Sequence, residues 1–134
     1  MEPIHAQNTH NSRRFALGTG AIITGTGVAL GAFGAHALKQ QISPEMLTIY
    51  HTGVQYQLIQ GLATMILACA GELIPAPKVI LITRLWISGV ILFSGSLYAL
   101  SISGIKVLGA ITPLGGVCFL TGWVMLSIAA LKKS

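Results

Sequence analysis

The sequence predicts an all-α fold: a four-transmembrane-helix up-down bundle with the N and C termini cytoplasmic. Three observations predict it. Of 134 residues, 53% are hydrophobic and only 8% are charged, whereas an average soluble domain is about 25% charged; such a chain cannot cover a water-facing surface, and its mean hydropathy is +0.76. The apolar residues fall in four blocks, roughly 15–38, 54–71, 79–100 and 107–131, each close to the ~20 residues that a helix needs to cross ~30 Å of hydrocarbon. The charges flank those blocks. Arg13 and Arg14 precede the first, Lys78 and Arg84 open the third, and Lys132 and Lys133 follow the fourth, while the opposite side holds Lys39 and Lys106. An excess of positive charge marks the cytoplasmic side.

Taken in order, residues 1–14 form a polar tail, expected to be mobile, and residues 15–134 a single four-helix domain. The Arg13-Arg14 pair and Ala35-His36-Ala37 have the look of a cleaved export signal. The apolar run between them is longer than the ~7–15 residues of a signal h-region, so it is read as a retained span. Ser43-Pro44-Glu45 supplies a capping hydroxyl, a proline for the first helical position and an acid beside the helix dipole, which starts the second helix at the outer interface. Pro75 and Pro77 end that helix after Glu72, and Ser101 to Gly104 turn the chain between the third and fourth spans. Loops this short make neighbouring helices antiparallel and adjacent.

Small residues recur at helical spacing. Gly20, Gly27, Gly31 and Gly34 share one face of the first span; Gly95, with Ser88 and Ala99, marks the third, and Gly109 with Gly116 the fourth, Gly115 and Gly122 lying on an adjacent line. Lipid offers little hydrophobic drive for helices to associate, so such seams are expected to pack helices backbone to backbone, within the chain or between copies.

Polar residues inside the spans are few. Gln57, Gln60 and Thr64 form an intramembrane stripe on the second helix, roughly opposite a face carrying Thr48, His51, Thr52 and Gln55; in lipid both need a helix partner, water or a cavity. The expected depths also bring His36, His51, Gln55, Tyr56, Ser94 and Thr112 to one level near the outer leaflet, as a candidate polar cluster. Tyr50, Tyr56 and Tyr98 are read as interface anchors, and Arg84 as a snorkelling residue. Cys69 and Cys118 lack metal-ligand spacing and are read as small buried side chains.

Several function classes are excluded. The formal net charge of +5 is spread over span ends rather than along one stripe, so no nucleic-acid partner is expected. The only acids are Glu2, Glu45 and Glu72, none inside a span, and no HExxH, GxSxG or Walker loop occurs. The reading is therefore a non-catalytic accessory or scaffold protein without a cofactor, with the lipid bilayer, a second copy or another membrane protein as partner. Its alternatives are a minimal small-solute or proton transporter, acting as an oligomer, and a haem-binding module using His36 and His51.

ALGAFGAHAL at 29–38, HTGVQYQ at 51–57, LFSGSLY at 92–98 and TPLGGVCFLTGW at 112–123 touch every span in order. With them the chain resembles the YgdD-like family of uncharacterised small multipass membrane proteins. The resemblance implies a four-helix protein of the bacterial inner membrane, a domain of unknown function, and supplies no catalytic residues.

Overall fold

The computed structural model describes residues 3–133; Met1 and Glu2 of the expected tail, and Ser134, lie outside them. The described residues form four helices joined by short 3-10 turns: α1 (Ile4–His36), α2 (Pro44–Cys69), α3 (Ala76–Ser103) and α4 (Thr112–Leu131). Among the described residues, three helical stretches are long and apolar enough to cross a membrane: Ile4–Gln40, Ala76–Ser103 and Lys106–Leu131. The α2 helix has 26 residues, but His51, Gln55, Gln57 and Gln60 interrupt its apolar run.

The ends of the elements correct several expectations. Residues 4–14 are not a separate tail but the first turns of α1, since Pro3 is extended at φ −60 and ψ 143 and no proline or glycine follows before Gly18. With 33 residues, α1 is ~50 Å long at ~1.5 Å per residue, so it outruns the ~30 Å hydrocarbon layer. Pro75 and Pro77 start α3 rather than ending α2, which stops at Cys69 before Gly71 turns the chain at φ +68. Ser101 and Ser103 belong to α3, because their hydroxyls donate back to the carbonyls of Tyr98 (2.9 Å) and Ala99 (2.6 Å); only Gly104, at φ +72, breaks the helix. Residues 106–110 are a 3-10 turn, and α4 opens at Thr112 with Pro113 in its first turn. At the start of α2 the Ser43 hydroxyl accepts from the Met46 N–H at 3.2 Å.

Successive helices run antiparallel, and α1 meets α2 along its glycines. A Cβ at Gly20 would lie 2.8 Å from the Gly61 carbonyl oxygen and 2.9 Å from the Met65 nitrogen. One at Gly27 would lie 2.9 Å from Leu58 Cδ2, one at Gly31 3.2 Å from Val54 Cγ1, and one at Gly34 2.5 Å from Tyr50 Cε1. The α3–α4 seam differs from the expected one. Cβ atoms at Gly95 and Gly116 would meet nothing within 4 Å, and one at Gly109 would only touch Leu100 at 3.6 Å. The close approach is made instead by Gly89, Gly115 and Gly122, where Phe93, Phe119 and Trp86 fill the missing side-chain volume. Trp86, fully buried, centres the main core with Ala16, Leu67, Ile82 and Phe119.

These contacts set a stability test. Gly20→Ala must push apart two backbones, and should cost about 1–3 kcal/mol, the usual range for overpacking. Gly116→Ala meets open space and should be neutral or stabilising by up to ~1 kcal/mol through helix propensity. Unfolding equilibria of the two variants in the same detergent or bicelle check the contrast.

Candidate functional site

Gln57 sits at the centre of the bundle, 5% exposed, on the face of α2 turned toward both α1 and α3. Its Nε2 donates to the Ile23 carbonyl at 3.0 Å and to Thr26 Oγ1 at 2.9 Å, and its Oε1 accepts from the Tyr98 hydroxyl at 2.6 Å. Thr26 is free to accept because its own proton goes to the Ile22 carbonyl at 2.7 Å. One amide therefore ties three helices together, with donors facing acceptors throughout.

Around it lie further bonds between helices. Tyr50 donates to the Leu30 carbonyl at 2.6 Å, Ser94 to the Gly53 carbonyl at 2.7 Å, and Trp86 Nε1 to the Phe119 carbonyl at 3.3 Å. Ser96 and Thr112 share a hydrogen bond of 2.7 Å between α3 and the start of α4. Two members of the predicted stripe behave differently from Gln57. Thr64 donates to the Gln60 carbonyl within its own helix at 2.7 Å. The Gln60 Oε1 is buried with no partner among the described residues, as are the hydroxyls of Thr24 and Thr83.

The candidate cluster is not assembled. His36, His51, Gln55 and Tyr56 are exposed, Ser94 is buried against Gly53, and Thr112 reaches Ser96. Shared depth placed these six at one level, but helix rotation points four of them outward. Tyr56 packs at a tilt on Phe93 and parallel to Phe119, with ring centroids 4.6 and 6.3 Å away. Tyr50, 1% exposed, and Tyr98 are interior bonding groups rather than interface anchors, and their rings lie 5.0 Å apart. Cys69 is exposed, not buried, and Cys118 is half-buried. Among the described residues, no three or more His, Cys, Asp or Glu side chains gather as a metal site.

Two features were missed by sequence reasoning. The Trp86 indole, seated over Gly122, shares its face with Gly89 and Phe93, and that i, i+3, i+7 pattern was the available signal. An apolar cleft of about 360 Å³ also opens between α2 and α4, lined by Leu62, Ile66, Trp123 and Leu126 among others; no sequence pattern marks it, since it depends on how α4 is docked.

The family described as "Protein of unknown function (DUF423)" matches residues 30–116. The chain is 46% identical over 114 residues to the UPF0382 membrane protein YwdK of Bacillus subtilis, covering 84% of this chain and 93% of that protein. It is 39% identical over 124 residues to the UPF0382 inner membrane protein YgdD of Escherichia coli, covering 89% and 91%, and 39% identical over 106 residues to a UPF0382 membrane protein of Haemophilus influenzae, covering 79% and 85%. No solved structure matches the chain.

Gln57→Leu should destabilise the bundle by about 2 kcal/mol, given ~0.6 kcal/mol per interhelical bond in membranes and a Tyr98 hydroxyl left unpaired. Tyr98→Phe should cost less, and the double variant less than the sum of the two. A double-mutant cycle on unfolding free energies checks this.

Proposed function

The chain belongs to the DUF423 family of membrane proteins, and on that premise we propose that it is a four-span inner-membrane protein, termini cytoplasmic, that acts without catalysis as an accessory or scaffold. The fourth span in this reading is α2. Its outward residues include Ile59, Leu62 and Ile66, up to 71% exposed, while Gln57 and Gln60 turn inward; that inside-out pattern suits lipid and not water. The basic residues at the end shared by the termini support the orientation, and the name of the Escherichia coli relative supports the inner membrane.

The observation that carries the accessory role is the way α4 is held. Its buried residues are Gly115, Phe119 and Gly122, all on the seam with α3, which leaves the α2–α4 cleft open to lipid. A transmembrane helix of another membrane protein, presenting a bulky apolar side chain, suits that cleft. Gln57 and Tyr98, meanwhile, are occupied in holding helices together.

A second reading draws on the unpaired Gln60 Oε1 and Thr83 hydroxyl, which would serve a solute or proton path through an oligomer. The exposure of His36 and His51 does not favour a haem held between them.

Cross-linking in native membranes tests the leading reading. A cross-linked membrane partner is expected, and Leu62→Trp, which fills the cleft from an exposed position, should abolish it while helix content and thermal stability stay unchanged. A protein that is always a lone monomer would overturn the accessory role. For the second reading, reconstituted vesicles should show a flux that Gln60→Leu removes; absence of flux eliminates it.

A further inference from the structure

A cleft of about 650 Å³ lies where the first turns of α1 pass over the turn joining α2 to α3. Its polar lining is His5, Thr9, His10 and Arg13 from α1, Glu72 from the turn, and the backbone at Ala76. Arg13 is half-buried, and its Nη2 has no hydrogen-bond partner among the described residues. The α3 helix begins here without a side-chain cap. The Ala76 N–H finds no backbone acceptor among the described residues, since the first bonds into Pro75 come from Lys78 and Val79, and Pro77 has no N–H to offer. A helix N-terminus favours negative charge.

We propose that this cleft binds the headgroup of a phospholipid that carries both a phosphate and a primary ammonium. Arg13, the Ala76 N–H and the imidazoles of His5 and His10 meet the phosphate. Glu72, held out on the 3-10 turn after Gly71, meets the ammonium. A purely anionic headgroup would leave the Glu72 carboxylate facing like charge; a choline would offer it no N–H donor. The lipid source follows from position. The cleft sits at one shared end of α1 and α3, both long and apolar enough to span, so it lies at headgroup depth. One turn below Arg13 on the same side of α1, Leu17 is exposed, and an acyl chain continues along it. The proposal does not depend on the accessory role of α4.

The test uses the full-length protein purified in mild detergent, with bound lipid quantified by native mass spectrometry after exchange into phosphatidylethanolamine, phosphatidylglycerol or phosphatidylcholine. Phosphatidylethanolamine should be retained about tenfold more strongly than either competitor, a difference of ~1.4 kcal/mol. Arg13→Gln should weaken retention of phosphatidylethanolamine by about tenfold, the size of one lost charge-assisted bond, and Arg13→Lys should restore part of it. Glu72→Gln should erase the preference over phosphatidylglycerol while phosphatidylglycerol binding holds or rises. Circular dichroism confirms that each variant keeps its helices. Equal retention of all three lipids, or no response to Arg13→Gln in a folded variant, overturns the proposal. Displacement of the lipid by millimolar free phosphoethanolamine would assign the site to a soluble phosphate ester and overturn the lipid source.

Discussion

The bundle depends on how closely glycine lets α1 approach α2. Lipid tails give helices little hydrophobic reason to associate, so stability comes from dispersion contacts and hydrogen bonds between helices, and both fall away with distance. Where Gly20 faces the Gly61 backbone and Gly27 faces Gln57 and Leu58, the two chains come near enough for the Gln57 amide to reach the Ile23 carbonyl. That carbonyl keeps a second lone pair after its own helical bond. The same arrangement recurs across the fold: Tyr50 passes over Gly34 to Leu30, Ser94 reaches the carbonyl of Gly53, and Trp86 lies on Gly122 to reach Phe119. Each of these bonds is made beside a glycine.

An uneven bundle follows. The helices α1, α2 and α3 share the Gln57 node, whereas α4 joins through α3 and the Ser96–Thr112 bond. Surface left open therefore collects on α4 and in the cleft it forms with α2. Polar groups are also unevenly satisfied. Gln57 engages both amide hydrogens and its oxygen in bonds to α1 and α3, but the Gln60 oxygen, one turn along the same face, is buried without a partner among the described residues. A buried polar site of that kind is where an ordered water is retained in many proteins.

Much of this was legible in the sequence, and the failures have physical causes. The spacings of seven, four and three that join Gly20, Gly27, Gly31 and Gly34 can line up only on one helical face, and that face is the one against α2. On α4, two glycine lines lie one residue apart, and periodicity cannot say which one turns inward; Gly115 and Gly122 do, while Gly109 and Gly116 do not. Depth can be read from position along a span, but rotation cannot, which is why His36, His51, Gln55 and Tyr56 ended outside the cluster. The polar composition of residues 4–14 hid a helix, because polarity there reflects water around α1 rather than a break in it. The cleft of His5, His10, Arg13 and Glu72 joins residues more than 50 positions apart, beyond the reach of any local pattern.

The inside-out character of α2 is the central claim, and site-directed spin labelling measures it directly. Single labels at positions 57, 59, 60, 62, 64 and 66 in reconstituted bilayers report access to oxygen, which partitions into lipid, and to a water-soluble nickel chelate. At 59, 62 and 66 oxygen access should be high and nickel access low; at 57, 60 and 64 both should be low. High nickel access at 59, 62 and 66 would place that face of α2 in water and contradict the account.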